Sequence, residues 1–375
     1  MTLIRSTLRL FRPRGWSTTP APVLRRWPSR RRARTAVLLF TALAVLGNFG
    51  FGWLLDYGPP RYRDPEYGKR YSRFLARSRE HPGHPVVAVI GSSRVAMGVR
   101  PSVLEPLEPH QPLLINLSLA GSGPVMELMT LRRLLADGVK PDAVLFEYWP
   151  AFLREDGGYH EDARIDVSRL RPVDVPTVRE FYRDPVGTER RMSELRICPM
   201  FSHRKPLMNQ MCASWMPYCW RTDALFEKID PWGWLPGREE VTPEQRVHAM
   251  EAVGNYYKPL FAQYEVSEVA DRALRQAVAE CRAANIPVAL VYLPESAGFR
   301  AFMPPEAVRR ADEHLAKVLA DLNVPLIDCR GWVPDDDLPD GFHLTQSGAA
   351  AYTKKLAPAV ISTFPTLNGG SANHR

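Results

Sequence analysis

The 375-residue chain lacks the patterns on which metal-dependent and nucleotide-dependent enzymes rely. Its nine histidines form no His-x-x-x-His or His-x-His pair, and its five cysteines show no zinc-finger spacing with histidine. The stretch "AGSGPV" lacks the lysine of a phosphate-binding loop, and the chain has no complete Gly-x-Gly-x-x-Gly. These absences predict a site that works without a metal ion or another cofactor.

Acidic residues are missing from the first 34 positions, which hold ten arginines. The remaining chain has 39 of the 49 basic residues against 41 acidic ones, so it is close to neutral. The net charge of +8 therefore describes the N-terminus and gives no reason to expect a nucleic-acid partner. We expect residues 1–34 to be a disordered, cytoplasmic basic tail.

A charge-free run of 20 residues, from Ala36 to Leu55, follows the arginines directly. A helix of this length spans the roughly 30 Å core of a bilayer. A cleaved signal peptide is the alternative, but the run is longer than a usual signal core and no small-x-small site follows it. By the positive-inside rule, residues 35–55 are expected to be a single-pass anchor in the cytoplasmic (inner) membrane, with the C-terminal domain extracytoplasmic or periplasmic.

Apolar strands alternate with helical segments after a juxtamembrane linker at residues 56–84, which should contain a short helix. Strands that are apolar throughout and separated by helices indicate a parallel sheet covered on both faces. We therefore predict a three-layer α/β/α domain over residues 85–365, and a disordered tail over 366–375. An insertion at 151–267, rich in Trp, Met, Arg and Pro, interrupts the alternation and is expected to form either a lid or acceptor site or a packing subdomain.

An exported domain permits disulfides, and Cys212 and Cys219 are the most plausible local pair. Buried free thiols are an equally good interpretation, and the odd number of cysteines leaves at least one unpaired in a monomer.

The first predicted strand, "VVAVIGSSRVAMG", ends in Gly-Ser-Ser-Arg. Ligands of parallel α/β sheets bind beyond the carboxyl ends of the strands, so Ser93 lies where a nucleophile would be expected. Because Gly-Ser turns are common, an ordinary exit from the strand is the alternative.

The second candidate segment is "DLPDGFHLTQSG", just before the last predicted helix. The three-residue spacing lets the carboxylate of Asp340 reach Nδ1 of His343, which leaves Nε2 free to act as a general base. Thr345 is a plausible N-cap that would fix this turn. Three further acids, Asp335 to Asp337, are rivals for the orienting role, but a solvated acidic turn is the better interpretation for them.

Together these segments resemble the sequence blocks of the SGNH/GDSL hydrolase superfamily. "IGSS" is similar to the first block, with Ser93 at the nucleophile position, and "DGFH" is similar to the last, with Asp340 and His343. "NLSLAGSG" resembles the second block, in which Gly121 would join Ser93 in supplying backbone amides to the oxyanion hole. The resemblance implies a flavodoxin-like fold and acyl transfer through a serine ester.

One block departs from the superfamily pattern. Where Gly-x-Asn-Asp is usual after the third strand, the chain reads "FEYWPAF" and has no asparagine. Arg94, Asn116 and Tyr148 are the residues that we expect to contribute to substrate binding, and Arg94 or Tyr148 could replace the missing oxyanion donor.

The "GSSR" variant behind a membrane anchor is similar to bacterial membrane-tethered acyltransferases, namely the alginate O-acetyltransferase-like and D-alanine transfer protein-like groups. This similarity implies a serine esterase or O-acyltransferase with an acyl donor and a polysaccharide acceptor of the cell envelope as partners. Two alternatives stay open. One is an inactive relative that binds glycan or a protein partner, and the other is a structural envelope protein whose insertion binds other membrane proteins.

Overall fold

The computed structural model describes residues 30–109, 111–154, 161–217, 221 and 228–369. It divides into two compact units, Met1–Gly47 and Asn48–Arg375. In the part of the chain that is described, one helix, α1 (Arg30–Tyr57), is long and apolar enough to cross a membrane. None of its most apolar 18-residue window is buried by protein. The expected N-terminal apolar helix is therefore present.

The second unit is built on a five-stranded sheet in which all neighbouring strands are parallel, in the order β2-β1-β3-β4-β5. This is the flavodoxin-like order. From β1 the chain first adds β2 on one side and then adds β3, β4 and β5 on the other side. The predicted parallel α/β fold is confirmed. The strands are β1 (Val86–Ile90), β2 (Leu113–Asn116), β3 (Ala143–Glu147), β4 (Val288–Tyr292) and β5 (Leu326–Asp328).

Helices follow the strands and fill the insertion. Before the insertion lie α2 (Pro65–Glu80), α3 (Ser93–Gly98) and α4 (Pro124–Ala136), and α5 (Pro150–Leu153) lies at its start. Within it lie α6 (Val175–Phe181), α7 (Pro185–Ile197), α8 (Pro199–Ser202), α9 (Arg204–Cys212) and α10 (Pro243–Ala262). After it come α11 (Glu268–Ala283), α12 (Ala297–Arg300), α13 (Pro305–Leu322) and α14 (Gln346–Thr363).

Both faces of the sheet are buried, as the apolar strands predict. Ala88 and Ile90 of β1 belong to one core cluster, together with residues of α4, α11 and α13. Val87 and Val89 point to the opposite face and pack in a second cluster with α14. Because side chains alternate along a strand, helices on both faces make the three layers.

The segment at 56–84 is more than the linker that the sequence suggested. Tyr67 and Phe74 of α2 are buried in the core cluster on one face of the sheet. Asp64 caps the start of α2 and forms an ion pair of 2.9 Å with Arg133 of α4, which also pairs with Asp174 at 2.7 Å. These buried charges tie the segment into the α/β unit.

The described residues of the insertion form helices joined by irregular segments. Cys219 lies outside the described residues, so the suggested pairing with Cys212 stays a prediction. Cys198 is exposed, whereas Cys281 and Cys329 are buried free thiols in the core.

Candidate active site

Ser93 lies at the first turn of α3, directly beyond the carboxyl end of β1. Ser92 caps this helix, since its Oγ accepts a hydrogen bond of 3.1 Å from the Arg94 amide. The preceding Gly91 has no room for a side chain, because a Cβ there would lie 2.5 Å from Val95 Cγ2 and 2.8 Å from Glu147 Oε2. Close contact with β3 therefore fixes the turn that presents Ser93.

Asp340 and His343 lie in the turn that precedes α14. The Asp340 carboxylate accepts hydrogen bonds from the His343 amide at 2.9 Å and from His343 Nδ1 at 2.8 Å. Gly341, between them, has a φ of +93°, which glycine adopts without strain. The N-cap predicted for the next helix is confirmed, because Thr345 Oγ1 accepts from the Gly348 amide.

The structure brings these residues together across 250 positions of sequence, with Ser93 Oγ 2.7 Å from His343 Nε2. A carboxylate only accepts hydrogen bonds, so Nδ1 carries the imidazole proton and Nε2 accepts the proton of the Ser93 hydroxyl. Burial raises the pKa of Asp340, but the charge and hydrogen bonds of His343 outweigh this and hold that pKa below its usual value. Asp340 is therefore ionised at neutral pH.

The rival acids bond elsewhere. Asp335 accepts from the Ala297 amide, and Asp337 accepts from the Thr345 hydroxyl. Asp336 is almost fully exposed beside Arg246.

Two backbone amides remain candidates for holding an oxyanion. Within the described part of the chain, neither the Ser93 amide nor the Gly121 amide has a hydrogen-bond partner. Ser93 is in the first turn of a helix, where amides have no intrahelical acceptor. Gly121 follows β2, the strand next to β1, and its carbonyl accepts from Arg164.

Arg94 is buried among protein groups, and its part in substrate binding stays a prediction. Its guanidinium is buried and lies between Glu147, at 3.2 Å, and Glu295, at 3.5 Å. It also donates to the Leu293 carbonyl at 3.0 Å and stacks over the Trp149 ring at 4.6 Å.

Asn116 and Tyr148 are likewise buried and bonded to protein, and their binding roles also stay predictions. Asn116 Nδ2 donates to the carbonyls of Val95 and Val99, at 2.8 and 3.0 Å, and so braces α3. The Tyr148 hydroxyl lies 2.9 Å from His314 Nδ1 and points away from the site, because it alternates with Glu147 along the chain.

Sequence reasoning missed the part that Glu147, Trp149 and Glu295 play beneath the nucleophile. Glu147 Oε2 accepts from the Ser92 amide at 2.7 Å, and Trp149 Nε1 donates to Glu295 Oε1 at 2.7 Å. Burial raises the pKa of Glu295, an effect that Arg94 partly offsets. The sequence contained a signal that could have identified the two glutamates. Each lies at or just after the end of a predicted buried strand, in "FEYWP" and "YLPES", and the carboxyl ends of these parallel strands lie at the same edge of the sheet.

Asp340 and His343 line a cleft of about 440 Å³. Lys228, Gly237 and Arg238 of the insertion line the same cleft. The insertion therefore reaches the candidate site.

Among known proteins, only solved structures are found to be similar to this chain. No family model and no curated protein matches the chain. A lipase/acylhydrolase from Enterococcus faecalis is similar at 13% identity and a TM-score of 0.32, over 75% of this chain and 96% of that one. A protein of Agrobacterium tumefaciens str. C58 assigned as an arylesterase is similar at 14% identity and a TM-score of 0.29, over 74% and 99%.

Proposed function

We propose that this chain is a membrane-anchored, extracytoplasmic serine esterase or O-acyltransferase of the SGNH type, which acts on an acylated polymer of the cell envelope. The observation that carries the proposal is the unbroken chain of hydrogen bonds from Ser93 Oγ to His343 Nε2, at 2.7 Å, and from His343 Nδ1 to Asp340, at 2.8 Å. A hydroxyl, a correctly oriented imidazole and an ionised carboxylate are the parts that acyl transfer through serine requires.

In the first half-reaction, Ser93 Oγ attacks the ester carbonyl while its proton moves to His343 Nε2. The amides of Ser93 and Gly121 hold the negative charge that develops on the carbonyl oxygen. The C–O bond to the leaving alcohol then breaks, the alcohol takes the proton from Nε2, and the acyl group stays on Ser93.

In the second half-reaction, His343 Nε2 takes a proton from water or from an acceptor hydroxyl, whose oxygen attacks the acyl carbon. The bond between the acyl carbon and Ser93 Oγ then breaks, and Ser93 Oγ takes the proton back from Nε2. Asp340 stays ionised and holds the ring in one orientation throughout. The wall formed by Lys228 and Arg238 would orient the acceptor and would favour one with negative charge.

Labelling with a fluorophosphonate tests the nucleophile without knowledge of the substrate. In this reaction the Ser93 oxygen forms a bond to phosphorus, fluoride leaves, and His343 takes the hydroxyl proton. The wild-type chain should be labelled, and Ser93→Ala should abolish the label. Ser347→Ala is the matched control, since this exposed serine lies four residues from His343 and should not affect labelling.

A second candidate is an inactive relative that binds a glycan or protein partner in the same cleft. One observation favours it: Trp149, in the divergent third block, donates its indole N–H to Glu295 and so cannot donate to an oxyanion. A folded wild-type chain that resists fluorophosphonate yet binds acylated polysaccharide would select this function.

A further inference from the structure

The segment that joins α7 to α9 exposes large apolar side chains to solvent. Ile197 is 75% exposed and Phe201 is 62% exposed, with Met200 between them also exposed. Contiguous apolar patches of this kind mark sites of contact with a protein or a membrane.

This segment packs against the last turns of α1, all within the second compact unit. Asn48 Nδ2 donates to the Ile197 carbonyl at 2.9 Å, and Gly52 is so close to Pro199 that an added Cβ would lie 3.3 Å from its Cγ. One helical turn further on, Arg196 Nε lies 3.0 Å from Asp56 Oδ2.

The position of these contacts along α1 indicates their depth in a bilayer. Asn48 precedes Asp56 by eight residues, which is about 12 Å along a helix axis. The uncharged run ends at Leu55, so the Ile197 carbonyl meets α1 about 10 Å inside that run. The one strongly polar residue of the run, Asn48, thereby obtains a hydrogen-bond partner, which hydrocarbon would not provide.

We infer that residues 197–201 are inserted in the same bilayer leaflet as the last turns of α1, and that the lipid itself covers their apolar side chains. The inference rests on the membrane anchoring in the proposed function. Charge at the edge of the segment fits this position, because the Arg204 guanidinium stacks over the Phe201 ring at 3.8 Å and donates to the Phe201 carbonyl at 2.6 Å. Arginine at this level holds its aliphatic part on apolar surface and its charge near lipid phosphates. The candidate active site would then be held at a fixed height above the membrane.

The native thiol of Cys198, exposed within the segment, permits a direct measurement. In the full chain, Cys212 and Cys219 are replaced by serine, while Cys281 and Cys329 stay because they are buried. The remaining thiol is labelled in detergent with an environment-sensitive nitrobenzoxadiazole, and the protein is reconstituted in phosphatidylethanolamine–phosphatidylglycerol vesicles. Lipids with a nitroxide on the acyl chain then quench the label only where it lies within the bilayer.

Two reference labels, each in a Cys198→Ser background, make the result decisive. Leu43→Cys reports on the middle of α1, and Val308→Cys reports on α13, which lies between β4 and β5 in the chain and so at the sheet edge opposite β2. We expect quenching at position 198 to be at least half of that at position 43 and several-fold above that at position 308.

If the label at position 43 is quenched but the label at position 198 is quenched no more than the label at position 308, the inference is wrong. The membrane anchoring by α1 would still hold in that case. No quenching at either 43 or 198 would overturn the anchoring as well. Fluorophosphonate labelling of Ser93 is measured on the same samples, so failure of the proposed chemistry is seen separately.

Discussion

Asp340→Asn is the substitution that most directly tests how the site works. In the native chain, Asp340 Oδ2 accepts from His343 Nδ1 at 2.8 Å, and Oδ1 accepts from the His343 amide at 2.9 Å. Asparagine keeps the shape of the side chain and one acceptor oxygen, so the turn can retain its backbone hydrogen bond. The amide nitrogen of asparagine donates hydrogen bonds and cannot accept one from Nδ1–H of His343. The substitution therefore favours the imidazole tautomer that carries its proton on Nε2.

That tautomer points a donor at the Ser93 hydroxyl, 2.7 Å away, where an acceptor is needed. Replacing the orienting carboxylate of a serine triad by asparagine lowers kcat about 10⁴-fold. At about 1.36 kcal/mol for each factor of ten, this corresponds to about 5.4 kcal/mol of transition-state stabilisation. Because the change leaves the core untouched, the free energy of unfolding at neutral pH should fall much less than this.

The assay is the second-order rate constant for fluorophosphonate labelling, together with hydrolysis of p-nitrophenyl acetate. Asp336→Asn is the matched control. It removes a carboxylate four residues before Asp340, and that carboxylate is almost fully exposed. We expect the control to stay within twofold of the wild type. If Asp340→Asn retained more than a tenth of the wild-type rate, Asp340 would not orient His343 and the mechanism would be wrong.

Two further substitutions, and Asp340→Asn at low pH, should have measurable effects on stability. Gly91→Ala places a Cβ 2.5 Å from Val95 Cγ2 and should cost about 1–3 kcal/mol in urea unfolding, whereas Gly331→Ala, with nothing within 4 Å of its Cβ, should cost nothing comparable. Arg94→Met leaves two buried carboxylates without a cation and should cost about 3–5 kcal/mol at pH 8. Burial raises the pKa of Glu295, so lowering the pH favours the neutral form, which needs no cation. The stability lost by Arg94→Met in thermal unfolding should therefore be smaller at pH 5 than at pH 8. An equal loss of stability at both pH values would contradict this account. Since the pKa of Asp340 is lowered on folding, its carboxylate stabilises the fold fully above the usual value of about 3.9. The stability advantage over Asp340→Asn in urea unfolding should therefore be constant from pH 6 to about pH 4 and should fall as the pH is lowered further, through the lowered pKa.

The sequence was most informative where the physical rule is local. Five apolar stretches predicted buried parallel strands, and the carboxyl ends of such strands share one edge of a sheet, which singled out Ser93. The Asp-x-x-His spacing is also local, so the pairing of Asp340 with His343 could be predicted from the sequence alone. Ser93 and His343 meet because β1 is an interior strand of the sheet and α14 packs beside α3.

Roles that depend on side-chain direction could not be assigned in the same way. Tyr148 stands one residue after Glu147, and the alternation of a strand sends the two side chains to opposite faces. Arg94 follows Ser93 in a helix, where one step rotates the side chain by 100°, and this rotation turns the guanidinium under the sheet edge. Neither direction can be known until the helix start and the strand register are fixed.

The divergent third block therefore has a structural explanation. Glu147 holds the Ser92 amide, and Glu295 holds both Arg94 and the indole of Trp149, so the ends of β1, β3 and β4 form one buried polar network. The Trp149 indole and the Arg94 guanidinium therefore donate hydrogen bonds within this network. An oxyanion hole loses about 10²–10³ in rate with each donor that is removed. A site with two backbone amides should then work best on activated acyl donors, such as a reactive ester or a thioester, whose better leaving groups make acylation of Ser93 less dependent on stabilisation of the tetrahedral intermediate.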